Sequence, residues 1–202
     1  MARVRTAVLI SGRGSNLSAL TEAARSPDYP AEIVLVLSNK ESAGGLQVAQ
    51  KAGIATRVIS HKLYISREEF DAAIDAALRD SAIRIACEAG FMRIHSEWFA
   101  KRWEGKLLNI HPSLLPAFPG IRVHEQALRA GVRISGCTVH FITHALDSGP
   151  IIMQAAVPVL PDDTAETLAA RVLAEEHRIY PEALRLVAGG KVKLEGGRAV
   201  FA

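Results

Sequence analysis

Short apolar runs alternate with segments of helical periodicity over the first half of this chain, and this alternation constrains the fold most. The apolar runs predict buried strands at residues 6–11, 33–37, 55–59, 83–87 and 106–109. The segments between them predict helices at residues 16–24, 44–52, 67–79 and 96–103. Strands that alternate with helices form parallel sheets covered on both faces. We therefore expect an α/β fold with a Rossmann-like, open and mostly parallel twisted sheet.

The pattern changes after Pro119, where we expect an antiparallel extension of the sheet. Apolar and polar residues alternate over 136–143, and a Gly149–Pro150 turn precedes a second apolar segment at 151–157. This arrangement predicts a hairpin. The other elements expected are a helix at 123–130, a long helix that starts with a capping-box-like sequence at 163–166, opened by Asp163, and ends at Gly189, and an edge hairpin within 191–201. No repeat or linker divides the 202 residues, so one domain is expected.

The composition argues against nucleic-acid and membrane partners. The formal net charge is +3, and the Lys and Arg residues are scattered along the chain. No signal-peptide pattern and no apolar stretch of membrane-spanning length is present, so we expect a cytoplasmic location. The two cysteines, Cys87 and Cys137, lie in apolar segments without metal-ligand spacing. They predict core residues in a reducing compartment and no metal site.

The sequence from Leu107 to Pro116 holds the strongest candidates for chemistry. An apolar run ends in Asn109 and His111, and Pro112 prevents the strand from continuing. Ligands of open α/β sheets bind at the carboxyl ends of the strands. An imidazole beside an amide donor suits acyl transfer, because one group handles protons while the other stabilises an oxyanion. On these residues alone, a proline-rich turn with a histidine that caps backbone groups is an equally open alternative.

A glycine loop at residues 12–16 follows the first predicted strand and opens the first helix. Its backbone N–H groups and the helix N-terminus favour an anion. Leu17 replaces the third glycine of a dinucleotide fingerprint, and Ser-Asn-Lys at 38–40 lacks the acid that binds a ribose diol. The loop therefore favours a single phosphate over NAD. The alternative is a tight turn in which Ser15 or Asn16 caps the helix.

Three further features are candidates for the site. Asp147 lies in a turn, and its functional interpretation requires His111 nearby, because a carboxylate favours the imidazolium. Glu176 falls on the apolar face of the terminal helix, where an acid needs a polar partner or ligand, with a structural arginine pair as the alternative. The apolar segment 89–94 follows the fourth strand, and it either forms the wall of a site for a flat ligand or merely packs.

Together these segments resemble the folate-dependent phosphoribosylglycinamide formyltransferase family. The matching motifs are Ser-Gly-Arg-Gly-Ser-Asn-Leu at 11–17, Ser-Asn-Lys at 38–40, Ala-Gly-Phe-Met-Arg-Ile at 89–94, Asn-Ile-His-Pro-Ser-Leu-Leu-Pro at 109–116, Leu-Asp-Ser-Gly-Pro-Ile-Ile at 146–152 and Glu-His-Arg-Ile-Tyr-Pro at 176–181. The His-Pro-Ser-Leu-Leu-Pro segment is shared by formyltransferases generally. The ordered set, which covers nearly the whole chain, carries the resemblance.

The resemblance implies that a formyl group passes from 10-formyltetrahydrofolate, the co-substrate, to the amine of glycinamide ribonucleotide in purine biosynthesis. The amine attacks directly, so neither an acyl-enzyme nor a metal is implied. It further implies one formyltransferase domain over residues 1–202, with a phosphate- and nucleotide-binding half at 1–105 and a catalytic and folate-binding half at 106–202. The implied partners are small-molecule substrates, and the implied assembly is a monomer or weak homodimer.

The same resemblance assigns roles to individual residues. Asn109 and the imidazolium of His111 would stabilise the oxyanion, while Asp147 would keep His111 charged and help to move a proton to the departing folate nitrogen. The implied ribonucleotide-binding residues are Gly14, Ser15, Asn16 and Glu176. The implied folate-binding residues are Arg67, which would pair with the glutamate tail, together with Met92, Arg93, Ile94, His95 and Asn109.

Residues at four positions differ from those that are usual in the family. Cys87-Glu88 stands where aliphatic residues are usual, His95 where Leu is commoner, and Arg122 where a His is often seen. Two alternative functions also stay open. One is a sugar-amine formyltransferase, although the glycine loop matches a phosphate monoester better. The other is a catalytically silent nucleotide- or folate-binding module, against which the intact catalytic set argues.

Overall fold

The chain forms a seven-stranded sheet and a small hairpin in a computed structural model that describes residues 2–202. The strands are β1 (Val4–Ile10), β2 (Ala31–Ser38), β3 (Ala55–Val58), β4 (Ile85–Glu88), β5 (Leu107–His111), β6 (Ile134–Phe141), β7 (Ile151–Pro158), β8 (Val192–Glu195) and β9 (Arg198–Phe201). The α-helices are α1 (Ser15–Ala23), α2 (Gly45–Lys51), α3 (Arg67–Asp80), α4 (Glu97–Arg102), α5 (Val123–Ala130) and α6 (Ala165–Ala188).

The strand order of the large sheet is β3-β2-β1-β4-β5-β6-β7. Strands β1 to β5 are parallel to one another, whereas β6 and β7 are antiparallel to their neighbours. Strands β8 and β9 pair as a separate antiparallel hairpin. The predicted α/β class, with its antiparallel C-terminal extension, is confirmed. The chain changes direction of winding between β1 and β4, so a crevice for ligands is expected beside the ends of these strands.

Strand β1 shows why both faces of the sheet are covered. Successive side chains of a strand point to opposite faces. Val8 and Ile10 accordingly lie in an apolar cluster with residues of α1 and α6, while Ala7 and Leu9 lie in a second cluster with residues of α3 and α4. All four side chains are fully buried. The sequence of a strand that is buried on both faces is therefore a continuous apolar run, without alternation of apolar and polar residues.

Of the strand boundaries that differ from the prediction, two concern polar residues at the ends of neighbouring strands. Strand β5 was expected to end at Asn109, but it continues to His111 and stops at Pro112. Strand β4 was expected at 83–87, but it includes Glu88 as its last residue. A prediction from hydrophobicity alone ends a strand too early when the polar residues at the strand's end are buried, as Glu88 and His111 are.

Helix α6 begins one residue later than the sequence at 163–166 predicts, because Thr164 rather than Asp163 is its cap. The Thr164 hydroxyl accepts a bond from the Thr167 N–H, and the Thr167 hydroxyl accepts one from the Thr164 N–H. Further along the helix, the buried Tyr180 hydroxyl lies 2.9 Å from the Glu88 carbonyl oxygen and 3.1 Å from that of Leu108. This hydroxyl fixes α6 to β4 and β5. Across residues 2–202, none of the helices combines the length and apolar character that crossing a membrane requires.

The connection between β6 and β7 passes very close to the sheet at Gly149. A Cβ atom on Gly149 would lie 1.7 Å from the carbonyl oxygen of Phe141. Pro150 reinforces this approach, because its carbonyl oxygen accepts a 3.0 Å bond from the Phe141 N–H. The glycine therefore allows the connecting loop, which carries Asp147, to lie against the end of the sheet.

We expect Gly149→Ala to destabilise the fold by about 2–3 kcal/mol, because the added methyl group overlaps a backbone carbonyl that has no room to move. Urea unfolding followed by circular dichroism measures this change. Gly44→Ala is the matched control, since its Cβ would lie an ordinary 3.7 Å from the nearest atom. Equal free energies of unfolding for the two variants would contradict the argument.

Candidate active site

A cleft of about 550 Å³ opens at the carboxyl ends of β4 and β5 and beside β6. Its lining residues fall within four segments: 88–95, 109–112, 120–124 and 140–147. These segments follow or end strands, apart from 120–124, which leads into α5. The volume is typical of small-molecule sites, and the position is the one expected for an open α/β sheet.

Three polar side chains form a row across the sheet at the cleft. The strand register pairs Glu88 of β4 with Asn109 of β5, and Asn109 with His140 of β6. Directly paired residues on neighbouring strands point to the same face of a sheet. All three residues line the cleft. A ligand in the cleft therefore meets a carboxyl group, an amide and an imidazole side by side.

His111 and Asp147, predicted to meet, are close together in the fold. The His111 Nδ1 lies 3.5 Å from the Asp147 Oδ1, and both side chains are less than one-tenth exposed. The other ring nitrogen, Nε2, donates to the carbonyl oxygen of Phe118 over 3.0 Å. Both ring nitrogens of His111 thus face oxygen acceptors. A doubly protonated ring would donate to both of them.

Asp147 is held from the side opposite His111. Its second carboxylate oxygen, Oδ2, accepts a 2.8 Å bond from the Gly120 N–H. Its backbone adopts the left-handed conformation with a φ of 48°, which is uncommon for residues other than Gly but accessible to Asp. The carboxylate therefore joins the loop after β6 to the segment before α5, with His111 between them in the cleft wall.

Asn109 is oriented by His140. The Asn109 amide nitrogen lies 3.3 Å from His140 Nε2, and His140 Nδ1 lies 2.8 Å from the Phe141 carbonyl oxygen. The carbonyl requires a proton on Nδ1, so Nε2 of the neutral ring accepts from Asn109. Burial lowers the pKa of His140, which preserves this neutral state. One amide hydrogen of Asn109 is thus committed to His140, and the other is available to a ligand.

The glycine loop forms a close-packed turn. Gly14 caps α1 in the left-handed conformation with a φ of 83°, and a Cβ there would lie 2.6 Å from the Cα of Gly45. No side chain caps the helix. The alternative in which Ser15 or Asn16 caps α1 is therefore wrong. The loop lies outside the lining of the 550 Å³ cleft, and the free N–H groups at the start of α1 favour an anion.

Asn16 and Glu176, 160 positions apart, form a buried pair. The Asn16 amide donates a 2.7 Å bond to Glu176 Oε2. The alternative in which an arginine pairs with Glu176 is therefore wrong. Burial raises the pKa of Glu176, and the bond from Asn16 opposes that shift. Within residues 2–202, the Asn16 Oδ1 is buried without a hydrogen-bond partner. A buried acceptor without a partner is costly, which favours a ligand donor at this position.

The segment after β4 forms one wall of the cleft. Met92, Arg93 and Ile94 line it and are exposed, with Met92 66% and Ile94 49% accessible. Exposed apolar side chains around a cleft are typical of a ligand surface. Arg67, the first residue of α3, is exposed and lies outside the cleft lining. Its predicted role in binding a glutamate tail stays a prediction, as do the roles of the wall residues.

His95 lies at the base of this wall, where it lines the cleft but is almost fully buried. Its Nδ1 is 2.7 Å from Asp71 Oδ1, and its Nε2 is 2.5 Å from Glu88 Oε1. Asp71 also accepts a 2.6 Å bond from the Ser96 N–H. Burial opposes charge on His95, but the two carboxylates outweigh it and raise its pKa to about 9. We name Asp71, His95 and Glu88 the buried triad.

Sequence reasoning missed two contributors to the cleft. His140 was seen only as a member of an alternating strand, and its role depends on cross-strand pairing with Asn109. The Phe118 carbonyl, which contacts His111, has no sequence signature at all. The one available signal for His140 was that it is a polar residue within the strand predicted at 136–143, which was expected to join the sheet. For the part of the chain described, no group of three or more His, Cys, Asp or Glu side chains is placed to hold a metal ion.

Comparisons with known proteins agree on one family. The model of the formyl transferase family matches residues 4–184. Phosphoribosylglycinamide formyltransferase of Escherichia coli is 43% identical over 192 residues, which are 95% of this chain and 91% of that protein. The crystal structure of glycinamide ribonucleotide transformylase 1 from Symbiobacterium toebii superposes with a TM-score of 0.95 at 47% identity, covering 98% of this chain and 94% of that one.

A longer relative contains a similar segment. The trifunctional purine biosynthetic protein adenosine-3 of Homo sapiens is 56% identical over 197 residues, which are 97% of this chain. These residues are 20% of that protein, so the chain spans about a fifth of its length.

The buried triad predicts a pH dependence of stability. Histidine in an unfolded chain titrates near pH 6.5, whereas the folded pKa of His95 is about 9. The stability gained from the bound proton is therefore complete below about pH 6.5 and is lost as the pH rises to about 9. We expect the free energy of unfolding in urea to fall between these values. The double variant Glu88→Leu/His95→Leu should show a smaller fall, and equal slopes in both proteins would contradict the assignment.

Proposed function

Because this chain belongs to the formyl transferase family, we propose that it transfers the formyl group of 10-formyltetrahydrofolate to the amine of glycinamide ribonucleotide. The products are N-formylglycinamide ribonucleotide and tetrahydrofolate, and the reaction is a step of purine biosynthesis. The observation that carries the proposal is the His111–Asp147 pair beside Asn109 in one cleft. These three side chains supply the charge and the hydrogen-bond donors that acyl transfer requires.

In the proposed reaction, the ribonucleotide amine attacks the formyl carbon and the carbonyl electrons move onto oxygen. The free amide hydrogen of Asn109 and an N–H of the His111 imidazolium donate to this oxyanion. The tetrahedral intermediate collapses when its bond to the folate nitrogen breaks. That nitrogen takes up a proton, the attacking nitrogen gives one up, and Asp147 keeps His111 charged throughout. No acyl-enzyme forms, because the nucleophile is the substrate amine.

His111 must exchange one hydrogen bond before it serves this role. Its Nδ1 faces Asp147, and its Nε2 is bonded to the Phe118 carbonyl. Donation to the oxyanion therefore requires the ligand oxygen to replace or share the Phe118 contact. The exchange favours the transition state over the substrate, because a developing oxyanion is a stronger acceptor than a neutral formyl or peptide oxygen.

The ribonucleotide is assigned to the glycine loop and Glu176. Its phosphate would meet the backbone N–H groups of Gly14, Ser15 and Asn16, where the start of α1 favours negative charge. The Glu176 carboxylate, already held by Asn16, would accept a bond from the sugar or amide portion. A donor from the ligand to the unpartnered Asn16 oxygen would satisfy the one buried acceptor of this pair that lacks a partner.

The folate is assigned to the 550 Å³ cleft. Its exposed apolar wall, Met92 and Ile94 with Arg93 between them, suits one face of a flat ring. Asn109 and the buried His95 form the polar end of the same cleft, and Arg67 would pair with the glutamate tail outside it.

The wider expectations follow from this assignment. Residues 1–105 would form the phosphate- and nucleotide-binding half of one formyltransferase domain, and residues 106–202 the catalytic and folate-binding half. The partners are small molecules, and no metal takes part in the proposed chemistry. A monomer or weak homodimer located in the cytoplasm is consistent with the composition.

We expect His111→Ala to lower kcat at least about 100-fold, since losing one oxyanion donor typically costs that much. A spectrophotometric assay that follows tetrahydrofolate release with glycinamide ribonucleotide measures the rate. His144→Ala is the matched control, because His144 lines the same cleft but is exposed and has no assigned part in the proposed chemistry. Near-normal turnover by His111→Ala would remove His111 from the mechanism. Turnover of wild-type protein with an amino sugar but not with the ribonucleotide would identify the other formyltransferase class.

Asp147→Asn should lower kcat about tenfold or more while leaving both KM values nearly unchanged, because it removes the charge that favours the imidazolium. The asparagine oxygen still accepts from Gly120, so the loop stays in place. A kcat equal to that of wild type would exclude Asp147 as the charge partner of His111.

Glu176→Gln should raise the KM for the ribonucleotide about tenfold, the effect of losing a charged hydrogen bond. The KM for the folate should not change, because Glu176 lies outside its cleft. Glu175→Gln, one position earlier on α6 and paired with Arg178 at the surface, is the matched control. Equal KM values for the two variants would contradict the assignment of Glu176.

A further inference from the structure

We propose that the buried triad, Asp71, His95 and Glu88, positions the cleft wall for the folate, with Glu88 and His95 acting as a compensated pair. The inference rests on the proposed function. Glu88 and His95 stand at two of the positions where the resemblance implies other residues, an aliphatic residue and a leucine. The geometry accounts for both departures at once, because each side chain is the buried partner of the other.

The Glu88–His95 bond closes the cleft wall at its base. The wall, residues 89–94, has no helical or extended structure of its own. Glu88 is the last residue of β4 immediately before it, and His95 is the first residue after it. A 2.5 Å bond between their side chains joins the two ends of the wall. This bond therefore constrains the conformation of the six residues between them.

Asp71 and two aromatic rings fix the closing residue itself. Asp71 of α3 binds His95 Nδ1 through one oxygen and the Ser96 N–H through the other. The His95 ring is stacked between Phe99, with ring centres 4.3 Å apart, and Phe91, at 5.6 Å. Phe91 belongs to the wall. The ring of His95 thus transmits its position directly to a wall residue as well as to the strand.

Contacts other than the triad hold mainly the first half of the wall. The Ala89 N–H donates to the Leu9 carbonyl over 2.9 Å, and the buried Phe91 ring stacks on Phe70. Ser11 accepts from the Met92 N–H over 2.8 Å and donates its own N–H to the Gly90 carbonyl over 3.2 Å. The side chains of Met92 and Ile94 are exposed. Because this end of the wall has little packing of its own, loss of the triad is expected to let residues 92–94 change conformation.

The triad also lies beside the catalytic groups. Glu88 is paired in register with Asn109 and lines the cleft. Burial raises the pKa of Glu88, His95 opposes this shift, and Asp71 and Asp147 add to it. Asp147 is thus within electrostatic reach of the triad. A change in the triad's charge is therefore expected to change the electrostatic potential in the cleft. The glycine loop and Glu176 lie outside the cleft lining.

Removing Glu88 leaves Nε2 of the buried His95 without a partner, and removing His95 leaves the buried Glu88 without one. Replacing both by leucine removes both unpaired groups and leaves Asp71 bonded to the Ser96 N–H. We therefore expect Glu88→Leu and His95→Leu each to raise the KM for 10-formyltetrahydrofolate about tenfold, with the ribonucleotide KM unchanged. The double variant should return to within about threefold of wild type. This cycle measures whether the two residues act as a pair.

Dissociation constants for tetrahydrofolate, measured by calorimetry, provide a readout that does not require turnover. If wild type binds tetrahydrofolate but transfers no formyl group to the ribonucleotide, the proposed function fails while the triad is still tested by binding. Should a single leucine variant not fold, Glu88→Gln and His95→Gln, which keep the shape and some hydrogen bonding, replace it with the same expected direction.

Asp75→Asn is the matched control for a purely structural effect. Asp75 lies one helical turn after Asp71 on α3, is equally buried, and accepts from Arg79, Arg102 and Trp103 away from the cleft. It should lower the midpoint of thermal unfolding without changing either KM. Asp71→Asn should raise the folate KM. The proposal is overturned if single variants of the triad bind tetrahydrofolate as wild type does, or if the double variant binds as poorly as the worse single variant.

Discussion

The structure depends on one constraint: polar side chains are buried where strands β4, β5 and β6 end, and each needs a partner. Glu88, Asn109, His111 and His140 occupy this edge, and burying such groups without hydrogen bonds is costly. Glu88 is bonded to His95 and Asn109 to His140, while the partners of His111 come from the segment before α5 and the loop after β6. The site is therefore assembled by the same bonds that make the edge of the sheet stable.

Much of the fold was predictable because its signals are local. Apolar runs and helical periodicity depend on neighbouring residues, so they predicted the strands, the helices and the antiparallel extension. The candidate pair Asn109 and His111 was also visible, since a proline directly after an apolar run marks where a strand must stop. The 3.5 Å approach of Asp147 to His111 was expected only through a resemblance, because no local signal connects positions 36 residues apart.

The parts that sequence did not predict are long-range polar pairs. Asn16 was interpreted as a possible helix cap and Glu176 as a possible partner of an arginine, whereas they bind each other across 160 positions. Glu88 and His95 looked like separate irregularities until the fold placed them 2.5 Å apart. A charged residue in an apolar segment indicates that it needs a polar partner. The residue type does not identify which distant residue is that partner.

The segment before α5 contacts both His111 and Asp147. Its Phe118 carbonyl accepts from His111 and its Gly120 N–H donates to Asp147, so one short stretch binds both members of the candidate pair. Phe118 holds a left-handed backbone with a φ of 54°, a conformation that costs a bulky residue about 1–3 kcal/mol. The two bonds offset that cost. In the proposed reaction an oxyanion would take the His111 N–H while the Gly120 bond still fixes Asp147, so the proposed charge partner would stay in place while the donor changes its acceptor.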